Sequence, residues 1–133
     1  MASVADMPTL TTRPSARVLA GVFTFAGAMH FVRPGAYEAI MPPYVPAHKE
    51  MVVISGIAEI VGGVSALFPR LHPFTRWWLI ALLIAVFPAN LHMAVNPDDI
   101  KGLPDIPQWA LWLRLPFQLA FAALVIRATR PAD

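Results

Sequence analysis

Four apolar runs, divided by short polar and Pro-rich stretches, set the pattern of this 133-residue chain. They cover about 14–32, 48–68, 75–95 and 107–127. Each is long enough, at ~1.5 Å per residue, to cross a hydrocarbon layer of ~30 Å as a helix. The stretch Trp77–Val86 has no polar residue on any face, so the polar outer face of a helix in a soluble bundle is missing. The expected fold is all-α, a polytopic membrane four-helix bundle spanning 14–127. Residues 1–13 read as a disordered N-terminal tail and 128–133 as a short C-terminal tail. The connector 34–47 holds Met41-Pro42-Pro43-Tyr44-Val45-Pro46, too rich in proline to be helical throughout. The first run also has features of a cleaved signal, with a basic flank and the small residues Ala26-Gly27-Ala28. Met29-His30-Phe31 continues the apolar run, however, and we read it as a retained span.

Composition strengthens the membrane reading. The chain is 57% hydrophobic and only 14% charged, against about a quarter charged in soluble domains. Cysteine is absent, which excludes disulfides, thiol catalysis and Cys-ligated metal centres. The net charge of +2 comes from scattered flanking residues and forms no stripe, so nucleic acid is not an expected partner. The lipid bilayer is.

The scatter itself carries information. Arg13, Arg17, Arg70, Arg76, Arg127 and Arg130 flank one set of helix ends, whereas Arg33, Lys49 and Lys101 flank the other. Six basic residues against three predict that both termini are cytoplasmic, with 33–50 and 96–108 outside. Trp77 and Trp78 then mark the inner interface, and Tyr37, Tyr44, Trp109 and Trp112 the outer one.

The polar residues inside the runs point to chemistry. A charge within the bilayer costs ~3 kcal/mol or more, and persists where it is paired or functional. His30, Glu59, Asn90, His92, Arg114 and Gln118 all fall in the outer half, and nothing comparable is evident in the inner half. Ser55, Glu59, Gly62 and Ala66 share a helix face flanked by Gly56 and Gly63, small residues that admit a close neighbour. Arg114, Gln118 and Phe121 share a face of the last helix. Asn90 and His92 differ by about 200° around a straight helix, so only one of them should face the core, though Pro88 can bend that helix. His48 and His72 read as surface loop residues.

Two readings of the cluster stay open. One is a structural Glu59–Arg114 ion pair, with His30, Asn90 and Gln118 satisfying spare donors and acceptors. The other is a pocket open to the outer side that receives a polar headgroup, a quinone or a small anion. A metal site from His30, Glu59 and His92 has suitable ligand types but no diagnostic spacing. Haem between His30 and His92 is likewise disfavoured.

Several motifs together resemble the DoxX-like family of small four-helix bacterial membrane proteins. They are Gly27-Ala28-Met29-His30-Phe31 followed by Pro42-Pro43-Tyr44-Val45-Pro46, and Ser55-Gly56-Ile57-Ala58-Glu59-Ile60-Val61-Gly62-Gly63. Phe87-Pro88-Ala89-Asn90-Leu91-His92-Met93-Ala94 and Arg114-Leu115-Pro116-Phe117-Gln118 complete them. The resemblance covers about residues 18–126. It implies a multi-pass protein of the bacterial cytoplasmic membrane, linked to redox assemblies through a subunit associated with a thiosulfate:quinone oxidoreductase. It supplies no catalytic set. The expected function is an accessory or ligand-binding, quinone-related subunit of a membrane redox system, partnered by an oxidoreductase or by further copies of itself. A stand-alone enzyme acting on a lipid-soluble substrate, with Glu59 as acid or base, is the alternative. Neither the substrate nor a catalytic role follows from the sequence.

Overall fold

The computed structural model describes residues 9–97 and 107–131, and all their regular structure is helical. Four long helices, α1 (Pro14–Val32), α3 (His48–Ser65), α4 (His72–Val95) and α5 (Gln108–Ala128), are joined by a short α2 (Pro34–Ala39) and a 3-10 turn, Pro69–Leu71. Proline sets several starts. Pro14, Pro34 and Pro73 lie in the first turns of α1, α2 and α4, where a missing N–H costs nothing and the fixed φ suits a helix.

Two boundaries differ from expectation. The second run ends as helix at Ser65, because Phe68 is extended ahead of Pro69, as a residue before proline prefers. The third begins earlier than expected, at His72. The first part of the connector 34–47 forms α2, and Pro42–Val45 closes a turn by a 3.0 Å backbone hydrogen bond.

Neighbouring helices run antiparallel. α1 packs most extensively on α3 and α4 on α5, while α3–α4 and α1–α5 contacts close the ring. The α1–α3 seam is very close. A Cβ on Gly27 would lie 2.7 Å from the Gly56 carbonyl oxygen, and one on Gly56 would lie 2.8 Å from the His30 Cβ. Only the absence of side chains permits this approach. Gly62 instead faces Leu79 and Trp78 of α4.

The ring has two unlike halves. Toward the chain termini Leu19, Ala20, Phe23, Ala66, Leu79 and Val125 form a closed apolar core, with the Phe23 and Phe121 rings edge to face at 6.2 Å. Toward the α2 end a smaller cluster, Met93, Ala94 and Leu111 with Ile40 and Leu115, borders a cavity. The outward faces stay apolar: Phe25, Ile84, Phe117 and Leu119 are exposed, a surface that suits lipid and not water.

Among the described residues three stretches are long and apolar enough to cross a membrane: Pro14–Val32, Pro69–Val95 and Gln108–Ala128. α3 is not among them, since its 18 residues include Lys49, Glu50 and Glu59.

The expected tails need correction where they are described. Residues 1–8 and 132–133 lie outside the described residues, as do Asp98, Asp99, Lys101 and Asp105 of the charge count. Thr11, however, is buried, and its N–H donates to the Leu67 carbonyl at 2.6 Å. Arg13 Nη1 donates to the carbonyls of Ala128 (2.9 Å) and Arg130 (2.8 Å). The carbonyls at a helix C-terminus lack intrahelical donors, so an adjacent guanidinium draws this segment onto the bundle.

Candidate functional site

The cavity near the α2 end has a volume of about 160 Å³. Each long helix contributes a polar wall: His30 from α1, Ser55 and Glu59 from α3, Asn90 from α4 and Arg114 from α5. α2 covers it with Tyr37, joined by Ile40 and Met41 just beyond that helix. Five of the seven residues expected at the site therefore meet around one space.

His30 Nδ1 lies 2.8 Å from the Ala26 carbonyl and 3.4 Å from Glu59 Oε2. Both neighbours are acceptors, which favours the tautomer that carries a proton on Nδ1. The ring stacks on Tyr37 with centroids 3.8 Å apart and 22° between planes. The Tyr37 hydroxyl donates to the same Ala26 carbonyl at 3.4 Å. Ser55 Oγ donates back to the Val52 carbonyl of its own helix at 3.1 Å. Glu59 Oε2 is buried and accepts no hydrogen bond among the described residues. Leaving such an acceptor unpaired costs about 1–3 kcal/mol, more for a charged group. It is the most conspicuous polar debt of the fold.

Arg114 makes no carboxylate contact within 4 Å among the described residues, so the expected Glu59–Arg114 ion pair is not formed. The two groups instead share the cavity wall, and Glu59 turns its oxygen to His30. Tyr37 feels both. Burial raises its hydroxyl pKa above the usual value, the Glu59 charge raises it further, and the Arg114 charge pulls it down.

The other two expected residues stand apart from the cavity lining. Gln118 holds the wall from behind. Asn90 Nδ2 donates to Gln118 Oε1 at 2.6 Å, and Gln118 Nε2 donates to the Leu83 carbonyl, within the helical segment around Pro88. His92 meets the Tyr44 ring edge to face at 5.9 Å and pairs with Asn96 at 3.5 Å. Of Asn90 and His92, the cavity takes Asn90. The weak metal triad His30, Glu59 and His92 is thereby divided, and no group of three such ligands converges among the described residues.

Two features escaped the sequence reading. One is the place of Tyr37 over the cavity, for which the only sequence signal is the helix start at Pro34-Gly35-Ala36-Tyr37, seven residues beyond His30. The half toward the termini also holds polar residues, contrary to expectation. Ser65 Oγ and Thr75 Oγ1 bond at 2.7 Å, and buried His72 Nε2 bonds the Ala66 carbonyl at 2.9 Å. His72 is thus no surface residue. Arg76 reaches the Thr129 hydroxyl and carbonyl at 3.1 and 3.2 Å.

An all-helical chain with three helices of membrane-crossing length, apolar outer faces and a buried polar cavity is of the membrane-protein class. More particularly, it belongs to the family described as a domain of unknown function, DUF8561, which matches residues 19–129. No curated protein and no solved structure matches the chain.

Proposed function

We propose that this is a four-span membrane protein with cytoplasmic termini, whose outer-half cavity binds the hydroxylated ring headgroup of a quinol. On this reading α3 is the fourth span. Its glycine seam against α1 and its contacts with α4 bury the face next to Glu59, and Lys49 and Glu50 fall in its first turn, at headgroup depth. The charge bias between the two sets of helix ends supports the orientation.

One observation carries the ligand: among the described residues, a buried carboxylate oxygen that has His30 Nδ1 3.4 Å away but no hydrogen bond opens on the same cavity as a guanidinium with no carboxylate within 4 Å. A ring hydroxyl would donate to Glu59 Oε2, and a second ring oxygen would accept from Arg114. The volume agrees, since a cavity of ~150 Å³ holds one benzene ring. A purely structural ion pair is disfavoured by the same geometry. The DoxX-like motifs support a role as the quinol-binding, accessory subunit of a membrane oxidoreductase of the bacterial cytoplasmic membrane. They bear on the partner only through that resemblance.

Binding of benzene-1,4-diol to the protein in lipid nanodiscs, kept anaerobic, tests the reading. Saturable binding should weaken about tenfold or more in both Glu59→Gln and Arg114→Met, the scale expected for losing a hydrogen bond to a charged group. Binding that is absent in the wild-type protein, or indifferent to both substitutions, would overturn it.

A further inference from the structure

The polar cavity does not stand alone. A groove of about 290 Å³, lined by Leu83, Asn90, Arg114, Phe117, Gln118 and Phe121, shares Asn90 and Arg114 with it. A third space of about 230 Å³ lies between α4 and α5 and shares Leu83 and Gln118 with the second. Apart from Gln118 its lining is apolar, including Ile84, Phe87, Leu119 and Ala122. Ile84 and Leu119 are 67% and 74% exposed, so this groove opens on the outer face of the bundle. Three spaces that share lining residues thus lie in sequence from the lipid-facing side to the Glu59–Arg114 cavity, and the polarity of the lining rises at each step inward.

Gln118 stands at the junction of the second and third spaces. It bonds the Leu83 carbonyl, at that same junction, and Asn90, which with Arg114 borders the junction between the second space and the cavity. Pro88 and Pro116 interrupt the backbone hydrogen bonding of α4 and α5 beside it. Each helix therefore lacks one backbone donor near the route.

We infer that the ligand is an amphiphile that enters sideways from the bilayer, with its alkyl or prenyl tail in the α4–α5 groove and its ring headgroup beyond Gln118. This inference rests on the proposed headgroup site and adds the tail and the route. A freely soluble headgroup would need no apolar groove bordering its cavity. An ordinary phospholipid would place its phosphate at the interface and not beside Glu59, twelve residues along α3.

The experiment compares benzene-1,4-diol with its decyl-substituted analogue in identical nanodiscs. Ala122→Phe fills the groove without touching the headgroup cavity, and Ile84→Trp narrows it from the other helix. Each should weaken the decyl probe about tenfold or more, as expected when a few buried methylenes lose contact, and leave the tail-less probe within about twofold. Both effects come from the same bilayer, so partitioning of the tail cancels. If the tail-less probe binds but neither substitution weakens the decyl probe, the route is wrong and the headgroup site survives. If the tail-less probe fails to bind the wild-type protein, the headgroup site and the route fall together. Equal weakening of both probes in both variants would also reject the route, because the groove would then be acting through the cavity.

Discussion

The two halves of the bundle treat buried polarity in opposite ways. Near the termini every prominent polar group has a partner: Ser65 with Thr75, His72 with Ala66, Arg13 with the last carbonyls of α5, and Arg76 with Thr129. These bonds join helix ends and close a core with fully buried Leu19, Leu79 and Val125. Near α2 the same four helices surround a cavity, and Glu59 Oε2 has no hydrogen bond among the described residues. Both halves are built from one sequence under one physical rule, that buried polar groups need partners. The difference therefore separates a half that satisfies itself from one that leaves room for something else. In the first half polarity binds protein to protein, and in the second one oxygen stays without a hydrogen bond among the described residues.

Removing bulk from the closed half should have the largest effect. Leu79→Ala deletes a side chain with no exposure from the centre of that core, and large-to-small changes of this kind cost about 3 kcal/mol. Val86→Ala, on the cavity wall, should cost less than about 1.5 kcal/mol, because it removes fewer atoms and those on the cavity side already lack packing partners. Thermal unfolding in detergent gives both values. Equal costs would mean that the cavity half is as tightly packed as the core, and the comparison would collapse.

Polar substitutions should move stability in opposite directions. Thr75→Val leaves the Ser65 hydroxyl without its side-chain partner and should destabilise by about 1 kcal/mol. Glu59→Leu removes a buried oxygen that has no donor, and replacing such a group by an apolar one should be neutral or stabilise by about 1–2 kcal/mol. That gain would accompany loss of quinol binding, the trade-off expected of a site built for a ligand. A Glu59→Leu protein that unfolds at a clearly lower temperature would make Glu59 a structural residue.

Much of this was legible in the sequence, and what was missed has physical causes. Run length and flanking residues gave the long helices, because 3.6-residue geometry and proline act locally. Helical spacing brought Ser55 and Glu59 to one wall and separated Asn90 from His92. Spacing cannot report which groups touch across helices. The proximity of opposite charges suggested Glu59 with Arg114, yet the glycine seam brings α1 so near α3 that His30 reaches the carboxylate first. The Ser65–Thr75 pair does not show in the spacing because small hydroxyls often bond their own helix backbone, and here one of the two donates to its own helix while the other donates across. Tyr37 was missed because a Pro-rich connector conceals a single helical turn folded back over the site.

Tyr37 supplies the finest test, with the smallest shift. The chain has two tyrosines, so Tyr44→Phe leaves Tyr37 as the only phenol titrating in the ultraviolet. Its pKa should lie above the ordinary value of about 10, chiefly through burial, then through Glu59, with Arg114 opposing. A nearby negative charge disfavours phenolate and a positive one favours it. Glu59→Gln in this background should therefore bring the pKa down, and Arg114→Met should push it further up. Opposite movements require that Tyr37 feel both charges across one small space, although the two make no contact with each other. Movement in the same direction, or in neither variant, would mean that the cavity does not join them and that the unfinished half is only loosely packed.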